Sequence, residues 1–68
     1  MKDDATRLGN NLKQIRIEKD ITQIEIAKRL NVDRSFISNI ENGKNNPTLS
    51  TITSLAKVLD ISINELLR

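Results

Sequence analysis

The chain's 68 residues leave room for one domain, expected over residues 1–68, and a core this small typically supplies only about 3–5 kcal/mol unaided. Its 11 basic and 9 acidic residues give a net charge of +2, a balance that permits a polyanionic partner without identifying one. The absence of His and Cys removes the commonest zinc ligands, the usual general base and the thiolate nucleophile, so no metal or cofactor is implied and catalysis is not expected.

In chain order, Leu8, Leu12 and Ile15 recur at helical spacing and predict a first helix from about Asp4 or Thr6 to Lys19. Gly9 inside it costs about 1 kcal/mol relative to Ala; either a neighbour packs closely there, or the helix entry is irregular. The segment from Thr22 to Gly43 carries the most information. It reads as two short amphipathic helices joined by a three-residue turn, a helix-turn-helix unit over about residues 23–42. Thr22 and Glu25 form a capping box. Ile26, Ala27 and Leu30 then share one face, with small Ala27 allowing a close helix crossing. Asn31 tolerates the left-handed conformation that stops a helix. Val32 is expected to plug the inside of the turn, and Asp33 to cap the next helix. Phe36, Ile37 and Ile40 form that helix's apolar stripe, and Gly43 ends it.

Beyond the polar loop Lys44-Asn45-Asn46-Pro47, Thr48 can cap a fourth helix whose stripe is Leu49, Ile52, Leu55, Ala56 and Leu59. Ser62-x-x-Glu65 is a second capping box and opens a short last helix with Leu66 and Leu67. The expected fold is therefore all-α, with five helices and no linker or repeat.

The outward side of the third helix points to duplex DNA. Arg34, Ser35, Ser38 and Asn39 lie on or beside one flank, where an N-terminal half can enter the major groove. Arg pairs with guanine O6 and N7, Asn with adenine N6 and N7, and Ser with either base type. Any one of them alone would read as an ordinary solvated residue. Four on the second helix of a well-formed turn motif favour base contact.

At this point the chain resembles the lambdoid-repressor-like (Cro/C1, or XRE-type) helix-turn-helix family over about Leu12 to Leu67. The resemblance rests on Ile15-Arg16, Thr22-Gln23 with Ala27, Ser38-x-x-Glu41-x-Gly43, Pro47, and the tail from Leu55 through Leu59 and Ile61 to Leu66. The run from Asp33 to Ser38 also resembles controller proteins of restriction–modification systems. The family fold implied is a compact five-helix, lambda-repressor-like DNA-binding domain. The resemblance implies DNA-phosphate contacts from Thr22 and Gln23 at the start of helix two, where backbone N–H groups also favour an anion. It implies the same for Lys44, Asn45 and Asn46, which loop filler explains equally well. Arg16 and Glu41 match an ion pair that ties helix one to helix three. Asn31 stands where relatives usually have Gly, and Ile24 where a charge is common. Phe36, the only aromatic, is expected to share its ring between the core and the DNA phosphates, or to touch a thymine methyl.

Val58, Ile61, Ile63 and Leu67 look like more apolar surface than one small core can cover, and the resemblance places a two-fold interface around the last two helices. A homodimer would set two recognition helices about 34 Å apart. The function expected is a transcriptional regulator, repressing over promoter elements or activating by contact with RNA polymerase, with no small-molecule effector. Apolar residues never run more than two together, which gives no membrane span and a cytoplasmic location as the default. A rival reading is a protein-interaction module, such as the antitoxin of a toxin–antitoxin pair, with Ile24, Ile63 and Leu67 on its partner. Antitoxins usually bring an extra segment, which this sequence lacks.

Overall fold

The computed structural model describes residues 3–68, so the first two residues of the expected domain lie outside it. Five helices follow in order: α1 (Asp4–Glu18), α2 (Gln23–Leu30), α3 (Arg34–Glu41), α4 (Leu49–Leu59) and α5 (Ile63–Leu67). Among the described residues there is no strand, as the periodicity led us to expect.

Side chains open most of the helices. Asp3 Oδ1 accepts from the Thr6 N–H (2.8 Å) ahead of α1, and Thr48 Oγ1 from the Thr51 N–H (3.2 Å) ahead of α4. At α5 the Glu65 carboxylate reaches back to the Ser62 N–H (3.1 Å). Asp33 departs from expectation. It holds the N-cap position of α3 but makes no side-chain cap bond; its carbonyl accepts from the Phe36 N–H instead (3.0 Å).

Four helix exits repeat one device. Asp20, Asn31, Gly43 and Asp60 all take positive φ, between 56° and 72°. After each, the next N–H reaches back across the turn: Ile21 to the Arg16 carbonyl, Val32 to Ala27, Lys44 to Asn39 and Ile61 to Ala56. This is the Schellman closure, in which an apolar residue commonly follows the left-handed one and folds back on the helix. Ile21 and Ile61 do so and pack on the core. Val32, expected to plug the turn, stays 36% exposed, at the edge rather than inside.

The core gathers Leu8, Leu12 and Ile15 of α1, Ile26 and Ala27 of α2, Ile37 and Ile40 of α3, Ile52, Leu55, Ala56 and Leu59 of α4, and Leu66 of α5. Leu49 was expected in the α4 stripe but is 68% exposed. It is the first residue of the helix, one turn ahead of Ile52, and the core packing begins only at that second turn.

Helix α1 packs against both α3 and α5. At Gly9 the α3 backbone comes so near that a Cβ would stand 2.3 Å from the Ile40 carbonyl oxygen and 2.7 Å from that of Glu41. The glycine marks a close approach, not a loose entry. Two residues on, the Asn11 amide donates to the carbonyls of Leu66 (2.8 Å) and Arg68 (2.9 Å), holding the end of α5.

Candidate nucleic-acid interface

Helices α2 and α3 pack directly on one another, joined by Asn31, Val32 and Asp33. The α2 end is built by its capping box. Thr22 Oγ1 accepts from the Glu25 N–H (3.1 Å), and Glu25 Oε1 accepts from the Thr22 N–H (3.1 Å) and faces its hydroxyl (3.2 Å). The Thr22 hydroxyl is thus already engaged. At such a helix start the N–H groups of the first two residues, Gln23 and Ile24, have no partner within the helix and suit an anion.

The backbone N–H of Thr22, and then its hydroxyl, hold the Glu25 carboxyl below the ordinary glutamate value. A lowered folded pKa contributes stability above the unfolded value, and that contribution is lost as pH falls through the folded one. Between about pH 5 and pH 3 the wild type should therefore lose thermal stability more steeply than Glu25→Ala. Equal slopes in a pH series of melts would rule out this linkage.

Arg34 and Ser35 are exposed on the first turn of α3; Ser38 and Asn39 follow half-buried on the next. Ser38 Oγ accepts weakly from the Asn42 amide (3.4 Å). Arg34 does not stand free: its Nη1 donates to Gln23 Oε1 (2.9 Å). The Gln23 amide in turn donates from Nε2 to Glu41 Oε1 (3.0 Å). Glu41, its side chain only 2% exposed, also accepts from Arg16 Nε (2.6 Å) and Nη2 (3.2 Å), while Arg16 Nη1 donates to the Ile21 carbonyl (3.0 Å). A single hydrogen-bonded chain therefore runs from the α1–α3 ion pair through Gln23 to Arg34.

These residues line an open depression of about 430 Å³, with Lys13 of α1 on its wall. The sequence reading missed Lys13; its place three residues before Arg16, on the same helix face, was the available signal. It also missed the Gln23–Arg34 bond, which joins positions 11 residues apart on different helices.

Lys44 and Asn46 are exposed in the loop after α3, and Asn45 is half-buried. Phe36 is partly buried against the core and lines a shallow groove with Leu30, Val32 and Thr51 of α4, away from the depression at Gln23. Of the apolar residues expected at an interface, Val58, Ile61 and Ile63 pack partly on the core, and Leu67 is 44% exposed.

Five helices with a capped helix-turn-helix at their centre define a class, and the comparisons agree with it. The family profile described as helix-turn-helix (HTH_3) matches residues 12–66. The chain is 40% identical over 67 residues to the control protein C.MunI of a Mycoplasma species, covering 97% of this chain and 90% of that protein. It is 36% identical to the antitoxin HipB of Escherichia coli, covering 85% of this chain and 66% of that one. Among solved structures it is similar to the restriction-modification controller protein C.AhdI from Aeromonas hydrophila, with a TM-score of 0.87, 35% identity, and coverage of 93% and 96%. The chain belongs to the XRE-type helix-turn-helix family of DNA-binding transcriptional regulators.

Proposed function

We propose that the chain binds an inverted-repeat operator in duplex DNA as a homodimer, with the first turns of α3 in the major groove. The observation that carries this reading is the grouping of Arg34, Ser35, Ser38 and Asn39 on the open side of α3, a helix whose other side is locked into the core by Ile37 and Ile40. Arg34, Ser35, Ser38 and Asn39 read base edges; Thr22, Gln23, Lys44, Asn45, Asn46 and the rim of Phe36 lie along phosphates. Because the Thr22 hydroxyl serves the cap, its phosphate donors are better sought in the neighbouring backbone. Val58, Ile61, Ile63 and Leu67 supply the two-fold contact, with Leu67 the most exposed of the four.

Bound over a promoter the protein represses, and bound upstream it meets RNA polymerase. The reading involves no catalytic step and no small-molecule effector, and the protein works in the cytoplasm. No helix among the described residues is long and apolar enough to cross a membrane.

The test is selection of bound duplexes from a random pool at about physiological salt, where non-specific binding is suppressed. An enriched inverted repeat supports the reading; no enrichment by folded protein removes it. Against the selected site, Arg34→Ala should lose roughly 1–3 kcal/mol of discrimination at one base pair while its circular dichroism stays unchanged. Undiminished discrimination would take Arg34 out of the reading set.

The likeness to antitoxin HipB favours a second reading, a protein-interaction module with secondary DNA binding. Exposed Ile24 and Leu67, with half-buried Ile63, would then meet a partner chain. Failure to select any duplex, together with loss of partner binding in Ile24→Asp, would favour it.

A further inference from the structure

Gln23 bridges the buried ion pair and the exposed arginine of α3, and its amide fits there only one way round. An ionised carboxylate only accepts hydrogen bonds and a guanidinium only donates them. Turned by half a rotation, the Gln23 oxygen would face Glu41 Oε1 and its NH2 would face Arg34 Nη1, setting acceptor against acceptor and donor against donor. Both neighbours therefore dictate the same orientation. The inner one is the more firmly held, since Glu41 is buried and gripped by two nitrogens of Arg16.

An exposed arginine left to itself spreads over many rotamers, and ordering it on binding costs affinity. Here the Gln23 oxygen takes one of its nitrogens before any DNA arrives. Nε2 of Gln23 has a second N–H, which Glu41 does not use.

We propose that Glu41, acting through Gln23, is a positioning residue for base reading: the buried carboxylate fixes the amide, and the amide oxygen holds Arg34 in the orientation that meets its base. This rests on the DNA-reading role of Arg34 given above and adds where its order comes from. With its second N–H, Gln23 also grips a phosphate, so backbone contact and base reading are coupled through one side chain.

Two measurements test this. In the DNA-free protein, NMR relaxation of the Arg34 Nε–H group should show an ordered side chain that loosens in Gln23→Ala to the level of exposed Arg29. Equal mobility in both proteins overturns the relay. The second measurement compares binding to the selected duplex with binding to a copy altered at the base pair Arg34 reads. Gln23→Ala should cut the ratio of the two affinities about tenfold, beyond any even loss on both duplexes. In an Arg34→Ala background the same change should cost only the even loss. Gln23→Met keeps the volume while losing both hydrogen bonds, and should behave like Gln23→Ala; a ratio restored in it would assign the effect to packing and overturn the relay. A ratio unchanged in Gln23→Ala leaves Gln23 a phosphate contact alone. If folded wild type selects no duplex, DNA reading and positioning for it both fall, and the relaxation result separates that failure from failure of the relay.

Discussion

Glu41→Ala is expected to cost about 3–5 kcal/mol, the range seen when one partner of a buried ion pair is removed. The carboxylate accepts three hydrogen bonds, two from Arg16 and one from Gln23, with its side chain almost wholly out of water. Without it, the Arg16 guanidinium keeps only the Ile21 carbonyl as a protein acceptor while remaining 13% exposed. A core of this size supplies about the same few kcal/mol that would be lost, so the variant should be largely unfolded at room temperature. Urea unfolding followed by circular dichroism measures this directly. A loss below about 1 kcal/mol would mean that Arg16 swings out to water at little cost, the behaviour of a surface pair. Adding Arg16→Met should recover much of the stability, because an apolar pair often replaces a buried ionic one without loss.

Gly9→Ala should also destabilise, against the intrinsic preference of a helix. Alanine gains about 1 kcal/mol over glycine inside a helix. Its Cβ, however, would press on the carbonyl oxygens of Ile40 and Glu41 at 2.3 and 2.7 Å. Those are backbone atoms in the last turn of α3, and only a shift of a whole helix can relieve them. Overpacking typically costs about 1–3 kcal/mol, and rigid neighbours put this site at or beyond the upper end. A net loss of roughly 2 kcal/mol would lower the melting temperature by roughly 8–16 °C in a domain this small. A melting temperature equal to or above that of the wild type would show that α1 and α3 can separate freely. The displaced α3 should carry Arg34 with it, so operator affinity falls as well.

These two sites illustrate what the sequence could disclose. Helix number and order were legible because each helix carries its own stripe and most carry their own cap, and those signals span only a few residues. Thr22 with Glu25 and Thr48 ahead of Leu49 are of that kind. Gly9 announced that something packed closely, but nothing local could say that it was the end of α3. The ion pair between Arg16 and Glu41 was expected through family resemblance, since 25 residues of intervening chain leave no spacing to read. Asn31 was read as left-handed, while Asp20 and Asp60, which do the same work, were passed over as ordinary exits. The pattern of Asp or Asn followed by Ile or Val was the missed signal, and it gives Ile61 a task in its own monomer. Leu49 failed because periodicity reports which side of a helix a residue is on, not whether a neighbour extends far enough to cover it.

The two ends of this arrangement meet on α1. That helix touches the end of α3 at Gly9 and grips the end of α5 with Asn11, two residues apart. In the proposed dimer, α5 lies at the two-fold axis and α3 in the groove, so this short stretch of α1 works as a gauge block between axis and groove. The distance between half-sites is then machined into one turn of one helix. A family member that must read operators of a different spacing has a local place to change, at positions 9 and 11, without touching any residue that meets a base.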